Sequence, residues 1–201
     1  MATVSLLMFV AGAWMFSYPF ATDLYAQHVV QRPLEGRFVD PGLRRAYLAR
    51  AVPTGDPLTR IRIPAISVEA IVVEGTSPEA LRAGAGHYPD TPLPGEEGNV
   101  AIAGHRTTYG KPFGRLEALR AGDLIELETP LQTHMYRVVE HPPGLEGCPS
   151  GACWITAPDD WGVVRPTAMP TLTLTTCHPK GSASQRLILR AELARSVGRR
   201  S

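Results

Sequence analysis

A mainly β fold with short helices, preceded by an N-terminal transmembrane helix, is predicted for this 201-residue sequence. Three observations predict it. Several segments alternate polar and apolar residues, with β-branched side chains prominent, which is the period of a half-buried strand. Nineteen prolines and nineteen glycines break the chain too often for a helical bundle. One uncharged apolar run stands at the start. At 44% hydrophobic content the chain can bury one sizeable core. The formal net charge of +1 leaves no basic footprint for nucleic acid.

The run Ala2 to Ala21 carries no charge. As a helix, about twenty residues span about 30 Å, the thickness of a bilayer core. Trp14, Phe16, Tyr18 and Phe20 crowd its far end, as interfacial aromatics do. A cleaved signal peptide would want a basic start and a small-x-small site, and neither is clear. Residues 1–22 are therefore expected as a single-pass membrane anchor, with the remainder outside the cell. Residues 23–57 read as a tether, broken by Arg32-Pro33, Asp40-Pro41-Gly42 and Pro53-Thr-Gly-Asp-Pro57. Leu43 to Val52 has room for a short helix. Its arginines Arg44, Arg45 and Arg50 add only modest attraction to an anionic surface, so a solvated spacer is expected.

The folded domain is expected over residues 58–195, with a disordered tail at 196–201. Thr59-Arg-Ile-Arg-Ile-Pro64 alternates cleanly, and Val68 to Glu74 supplies a second strand. Ser77 caps one helical turn with Pro78 at its first position. Gly84 to Gly98 is a turn-rich loop holding His87, and Asn99 to Gly104 is an apolar strand. Phe113, Leu116 and Leu119 have helical spacing and belong to the core. Leu124 to Thr129 and Met135 to Val139 are further strands, and Pro142 to Pro170 is the least regular region. Two last strands follow, Thr171 to His178 and Arg186 to Glu192, joined by a turn-forming loop.

Three strand ends carry the chemistry. Cys177 closes a strand that must stop at Pro179, which cannot donate to a ladder. A buried inert thiol is the bland alternative. Arg186 opens the next strand, so a hairpin makes thiol and guanidinium neighbours. His105 stands where the run Asn99-Val-Ala-Ile-Ala-Gly104 exits; His87, inside a loop, ranks below it. A free thiol, with an ordinary pKa of about 8.5, is activated by a nearby cation. A His supplies that charge and then protonates a leaving amine. An Arg donates to an oxyanion through its planar fork. Together they describe acyl transfer through a thioester. No Asp or Asn is obvious as a third member orienting the His. Cys148-Pro-Ser-Gly-Ala-Cys153 suits a turn closed by a disulfide in an oxidising compartment, leaving Cys177 odd and free. The competitor is zinc on Cys148, Cys153, Cys177 and His178; the spacing is wider than a usual knuckle and no second pair exists. No metal or cofactor is expected.

The segment Thr171-Leu-Thr-Leu-Thr-Thr-Cys177-His-Pro179, with Arg186 after it and Gly104-His-Arg-Thr-Thr-Tyr-Gly110 before it, resembles the sortases, the cysteine transpeptidases of Gram-positive surfaces. The resemblance runs from about Leu58 to Leu193. Thr-Cys-His-Pro and His-Arg-Thr-Thr-Tyr-Gly look most like class E, the actinobacterial housekeeping type. The resemblance implies a closed eight-stranded sortase-like β-barrel. It implies that Cys177 attacks a Thr–Gly bond in a sorting signal of the LAxTG or LPxTG kind, that His105 protonates the departing amine, and that a cell-wall precursor amine then resolves the thioester. Tyr109 is either a structural aromatic or a groove residue contacting the peptide; Thr175 and Thr176 are assigned to substrate contact with it. Pro142 to Pro170 lies where sortases carry a specificity loop, although the short family pattern lacks the Cys148–Cys153 segment. Pilin polymerisation is disfavoured because Asp56-Pro57 lacks the aromatic of a lid motif. A non-catalytic wall-binding module is the remaining alternative.

Overall fold

The structure, a computed structural model, describes residues 2–198. Among them nine strands form: β1 (Pro57–Ile63), β2 (Val68–Glu74), β3 (Ala85–His87), β4 (Asn99–Gly104), β5 (Leu124–Glu128), β6 (Gln132–Val138), β7 (Cys153–Thr156), β8 (Thr171–His178) and β9 (Gln185–Gly198). Eight of them close a ring in the order β6-β5-β1-β2-β3-β4-β8-β9, because β9 also pairs with β6. The expected eight-stranded barrel is therefore present. The ninth strand, β7, borrows the first half of β9: Thr156 stands opposite Arg186 and Cys153 opposite Leu189. The second half of β9 pairs with β6, from Ala191 opposite Val138 to Gly198 opposite Gln132. That pairing carries the strand through Ser196–Gly198, correcting the expected tail. The ladder supplies the order there, since Arg195 and Ser196 have no apolar alternation to announce it. Residues 199–201 lie outside the described residues.

The barrel is filled by the alternate apolar residues that the strand pattern announces. Ile61, Ile63, Val72, Val100, Ile102 and Leu174 are fully buried in one cluster, and Phe113, Leu116 and Leu119 join it. Only a 3₁₀ turn, Leu116–Ala118, forms where a short helix was expected over 113–119. Ser77 caps its turn as expected: its Oγ accepts from the Ala80 N–H at 3.2 Å.

The N-terminal region differs from a solvated tether. A helix α1 (Ala2–Tyr25) runs through a π-helical segment (Ala26–Gln31) into α2 (Arg32–Phe38), and α3 (Pro41–Leu48) follows. Asp40 caps α3, with Pro41 in its first turn. Leu34, Phe38 and Leu43 pack on Ile71, Val73, Ala80 and Ala83 as a second apolar cluster. Gln31 Nε2 donates to the carbonyls of Ile71 and Ala83 at 3.0 and 2.6 Å, and its Oε1 accepts from the Ile71 N–H at 2.8 Å. The arm thus docks along one side of the barrel; the proline breaks hid an amphipathic face whose burial overrides them. Among the described residues no helix is long and apolar enough to cross a membrane.

Candidate active site

Register places the site. β4 and β8 are parallel neighbours, paired as far as Ala103 opposite Thr175, and His105 and Cys177 each follow two residues later in the chain. β8 and β9 are antiparallel, and Cys177 stands directly opposite Arg186. Alternation assigns the faces. Thr173 Oγ1 donates to Asn99 Oδ1 at 2.7 Å on the outer face of the barrel. Counting by twos from this bond, His105 follows Asn99 and Cys177 follows Thr173 on that same face. The pairings thus bring the strand ends that carry the three expected residues side by side. Cys177 is the free cysteine, partly exposed.

The two ends are pinned to each other. Thr176 Oγ1 donates to the Gly104 carbonyl at 2.8 Å, locking the residue before Cys177 to the residue before His105. Gly104 has a packing reason: a Cβ there would sit 2.4 Å from Phe113 Cδ2. The His105 N–H donates to the Gly84 carbonyl at 2.9 Å, and the His105 carbonyl accepts from the Phe113 N–H at 3.1 Å. Burial pushes the His105 imidazole below its ordinary value of 6.5, against the opposing pull of a hydrogen bond to the Leu81 backbone. The Arg186 guanidinium turns back to its own loop, donating from Nη1 to the carbonyls of Ala183 and Gln185 at 2.9 and 3.0 Å.

Thr175 and Thr176, expected to touch substrate, are buried with their hydroxyls engaged inside the protein. Thr175 Oγ1 lies 3.2 Å from the Tyr88 hydroxyl, and Thr176 makes the bond to Gly104. Their geometry is that of positioning residues. Tyr109 sits beside the site, its ring 5.0 Å from that of His105. A hydrogen bond with Tyr18 raises its phenol above the usual range. Asp23, at the end of α1, accepts from the Gly110 N–H at 2.9 Å and from Lys111 Nζ at 2.7 Å, tying this loop to the arm. His87 is a satisfied core residue: Nδ1 bonds Glu74 at 2.9 Å and Nε2 bonds Thr91 at 3.0 Å.

Sequence reasoning missed Arg106. It is 6% exposed, and its Nη1 donates to the Cys177 carbonyl at 3.0 Å and to His178 Nδ1 at 2.8 Å. Nη2 donates to Glu117 at 3.3 Å. Burial, then the Arg106 charge, lowers the His178 pKa. The available signal was an Arg following a strand-exit His, a residue type almost never buried without partners. Cys148 and Cys153 form the expected disulfide, with Cα atoms 5.3 Å apart. It closes a hairpin leading into β7, the strand that covers the start of β9. Among the described residues no three His, Cys, Asp or Glu side chains gather to hold a metal ion.

A β-barrel presenting a thiol, an imidazole and a guanidinium at adjacent strand ends defines a scaffold for cysteine acyl transfer. The sortase-domain family matches residues 61–194. Sortase D of Bacillus subtilis is 31% identical over 140 residues, covering 68% of this chain and 63% of that protein. Sortase SrtE1 of Streptomyces coelicolor is 29% identical over 67% of this chain and 40% of its own length. The chain thus spans less than two thirds of these two relatives. Among solved structures, the SrtF sortase of Corynebacterium diphtheriae superimposes with a TM-score of 0.67 at 31% identity, covering 75% of this chain and 90% of that one. Sortase E of Streptomyces avermitilis gives 0.62 at 33% identity, over 73% and 93%. The chain belongs to the sortase family, whose members are cysteine transpeptidases.

Proposed function

We propose that this protein is a class E-like sortase that cleaves a sorting signal between Thr and Gly and joins the acyl group to a cell-wall amine. Cys177 is the nucleophile: neutral His105 takes the thiol proton, the sulfur bonds the Thr carbonyl carbon, and the carbonyl π electrons move to oxygen. His105 protonates the departing Gly amine as the tetrahedral intermediate collapses to the thioester. It then takes a proton from the incoming amine, whose nitrogen displaces the thiolate. Arg186 steadies the oxyanion, leaving its loop carbonyls as substrate enters. Tyr109 borders the peptide groove. The observation that carries this reading is the pairing that sets Cys177 opposite Arg186 on β8 and β9, beside the end of β4 from which His105 follows. The class assignment is supported by the His-Arg-Thr-Thr-Tyr-Gly segment and by the likeness to SrtE1 and sortase E.

The test is a thioester. Incubated with an LAxTG peptide, the protein is expected to gain the acyl fragment on Cys177 by mass, and Cys177→Ala to gain nothing. An unmodified Cys177 across LAxTG and LPxTG peptides would leave the wall-binding module as the better reading. Arg186→Lys is expected to lose activity despite keeping the charge, because a point charge cannot replace a two-pronged fork. Arg186→Ala should cost about 10²–10³ in kcat, the loss typical of one oxyanion donor.

The uncharged run Ala2–Ala21 supports a second element of the reading, an anchor in the cell membrane with the barrel outside. The full chain is expected in the carbonate-resistant membrane fraction, with Cys177 open to an impermeant thiol reagent in intact cells. Labelling only after lysis would contradict that orientation.

A further inference from the structure

A cavity of about 580 Å³ lies between the helical arm and the barrel, within the range of small-ligand sites. The arm supplies one wall at Ala26, Gln27 and Gln31. Residues 66–70 supply another, and the loop from Arg106 to Arg115 closes it. Cys177, His105 and Arg186 do not line it, but the catalytic end is one side chain away. Arg106 lines the cavity while holding the Cys177 carbonyl, and Tyr109 lines it while its ring faces His105.

The lining is cationic: Arg106, Lys111, Arg115 and Lys180 against Glu69. Glu69 is already engaged by Arg62 at 3.1 Å. Asp23 pairs with Lys111 and Glu117 with Lys180, each at 2.7 Å, and Glu117 also reaches Arg106. Counting both, four cations still face three carboxylates, and among the described residues Arg115 makes no ion pair. A second observation is independent of charge. Arg106 is 94% removed from solvent, yet its Nε donor has no hydrogen-bond partner. A buried guanidinium donor without an acceptor is costly, and this one belongs to a residue that lines the cavity.

We propose that this cavity is an anion-binding subsite, taking a carboxylate or phosphate carried by the amine acceptor. The assignment to the acceptor rests on the acyl-transfer reading; the anion site itself does not. The full chain in detergent micelles is titrated with inorganic phosphate and, separately, with acetate, followed by heat of binding and by NMR of the arginine side chains. Saturable binding is expected. It should weaken several-fold in Arg115→Gln, which removes a cation, and in Gln27→Glu, which adds a carboxylate from the opposite wall at nearly equal size. Absence of saturation with both anions, or binding unchanged in both variants, overturns the site. Transfer assays then compare phosphoethanolamine with ethanolamine, and glycine with glycinamide. A lower KM for the phosphorylated amine identifies phosphate as the recognised group; a lower KM for glycine identifies carboxylate. Equal KM values within both pairs overturn the link to the acceptor. Anion binding without any Cys177 thioester would preserve the subsite and sink the transpeptidase.

Discussion

His105 is buried enough that its imidazole favours the neutral form, so the resting site holds few imidazolium ions at neutral pH. The sign of the linkage follows. Because the folded-state pKa lies below the unfolded value, the proton binds more readily to the unfolded chain. Stability from this group is whole above about pH 6.5 and declines as pH falls through the folded-state value. NMR titration is expected to place His105 below 6.5, and denaturation at pH 7.5 and 5.5 should show a smaller acid loss in His105→Gln than in the wild type. A titration midpoint above 6.5 would contradict the burial argument. Thr176 acts at the same scale. Thr176→Val keeps the shape but leaves the buried Gly104 carbonyl without its donor, at about 1–3 kcal/mol. Thermal unfolding should report that loss, and kcat should fall because His105 follows Gly104. Thr176→Ser should restore both.

Elements decide which residues face the site. β8 reads as a strand with one polar face, yet all of Thr171–Thr176 is buried. Its threonine face is covered by the loop around Val163 and Arg165, whose carbonyls accept from Asn99 Nδ2 at 3.0 and 3.1 Å. β7 is the element the sequence hid. Cys153-Trp-Ile-Thr156 is short and sits in an irregular stretch, and it is a strand because β9 offers a free edge there. The disulfide braces the hairpin entering β7. Replacing Cys148 and Cys153 together by Ser is expected to lower stability by about 2 kcal/mol, from the freed loop entropy of the unfolded chain. The measurement is urea denaturation with Cys177 blocked. A change near zero would mean that the loop carries no such constraint.

At the scale of the whole molecule, the arm and barrel form one packed body. Phe38, 1% exposed, joins the two and lies under the Arg60 guanidinium at 5.2 Å. Phe38→Ala is expected to cost about 3 kcal/mol, a typical loss for a large buried aromatic. The arm also carries Asp23 and Gln27 to the His105 loop and the cavity. Loosening it should therefore raise KM for the amine as well as lower the unfolding midpoint. A stability loss with unchanged KM would separate the arm from the site.

The sequence by itself singled out the candidate reactive groups. A thiol before Pro179, a His after an apolar run and an Arg after a turn are local signals, because strand ends and turns are written in neighbouring residues. It also determined the mainly β class, since the period of two survives burial, and the odd cysteine, since one pair closes locally. The tertiary structure decided what depends on distant partners. Parallel pairing of β4 with β8 brings the strand that leads to His105 beside the strand that leads to Cys177, across more than seventy residues of chain, and no local pattern encodes a register. The docked arm, the second half of β9, the engaged hydroxyls of Thr175 and Thr176, and the buried Arg106 all arise the same way. Each is a polar or broken stretch that gains order only from the surface it meets.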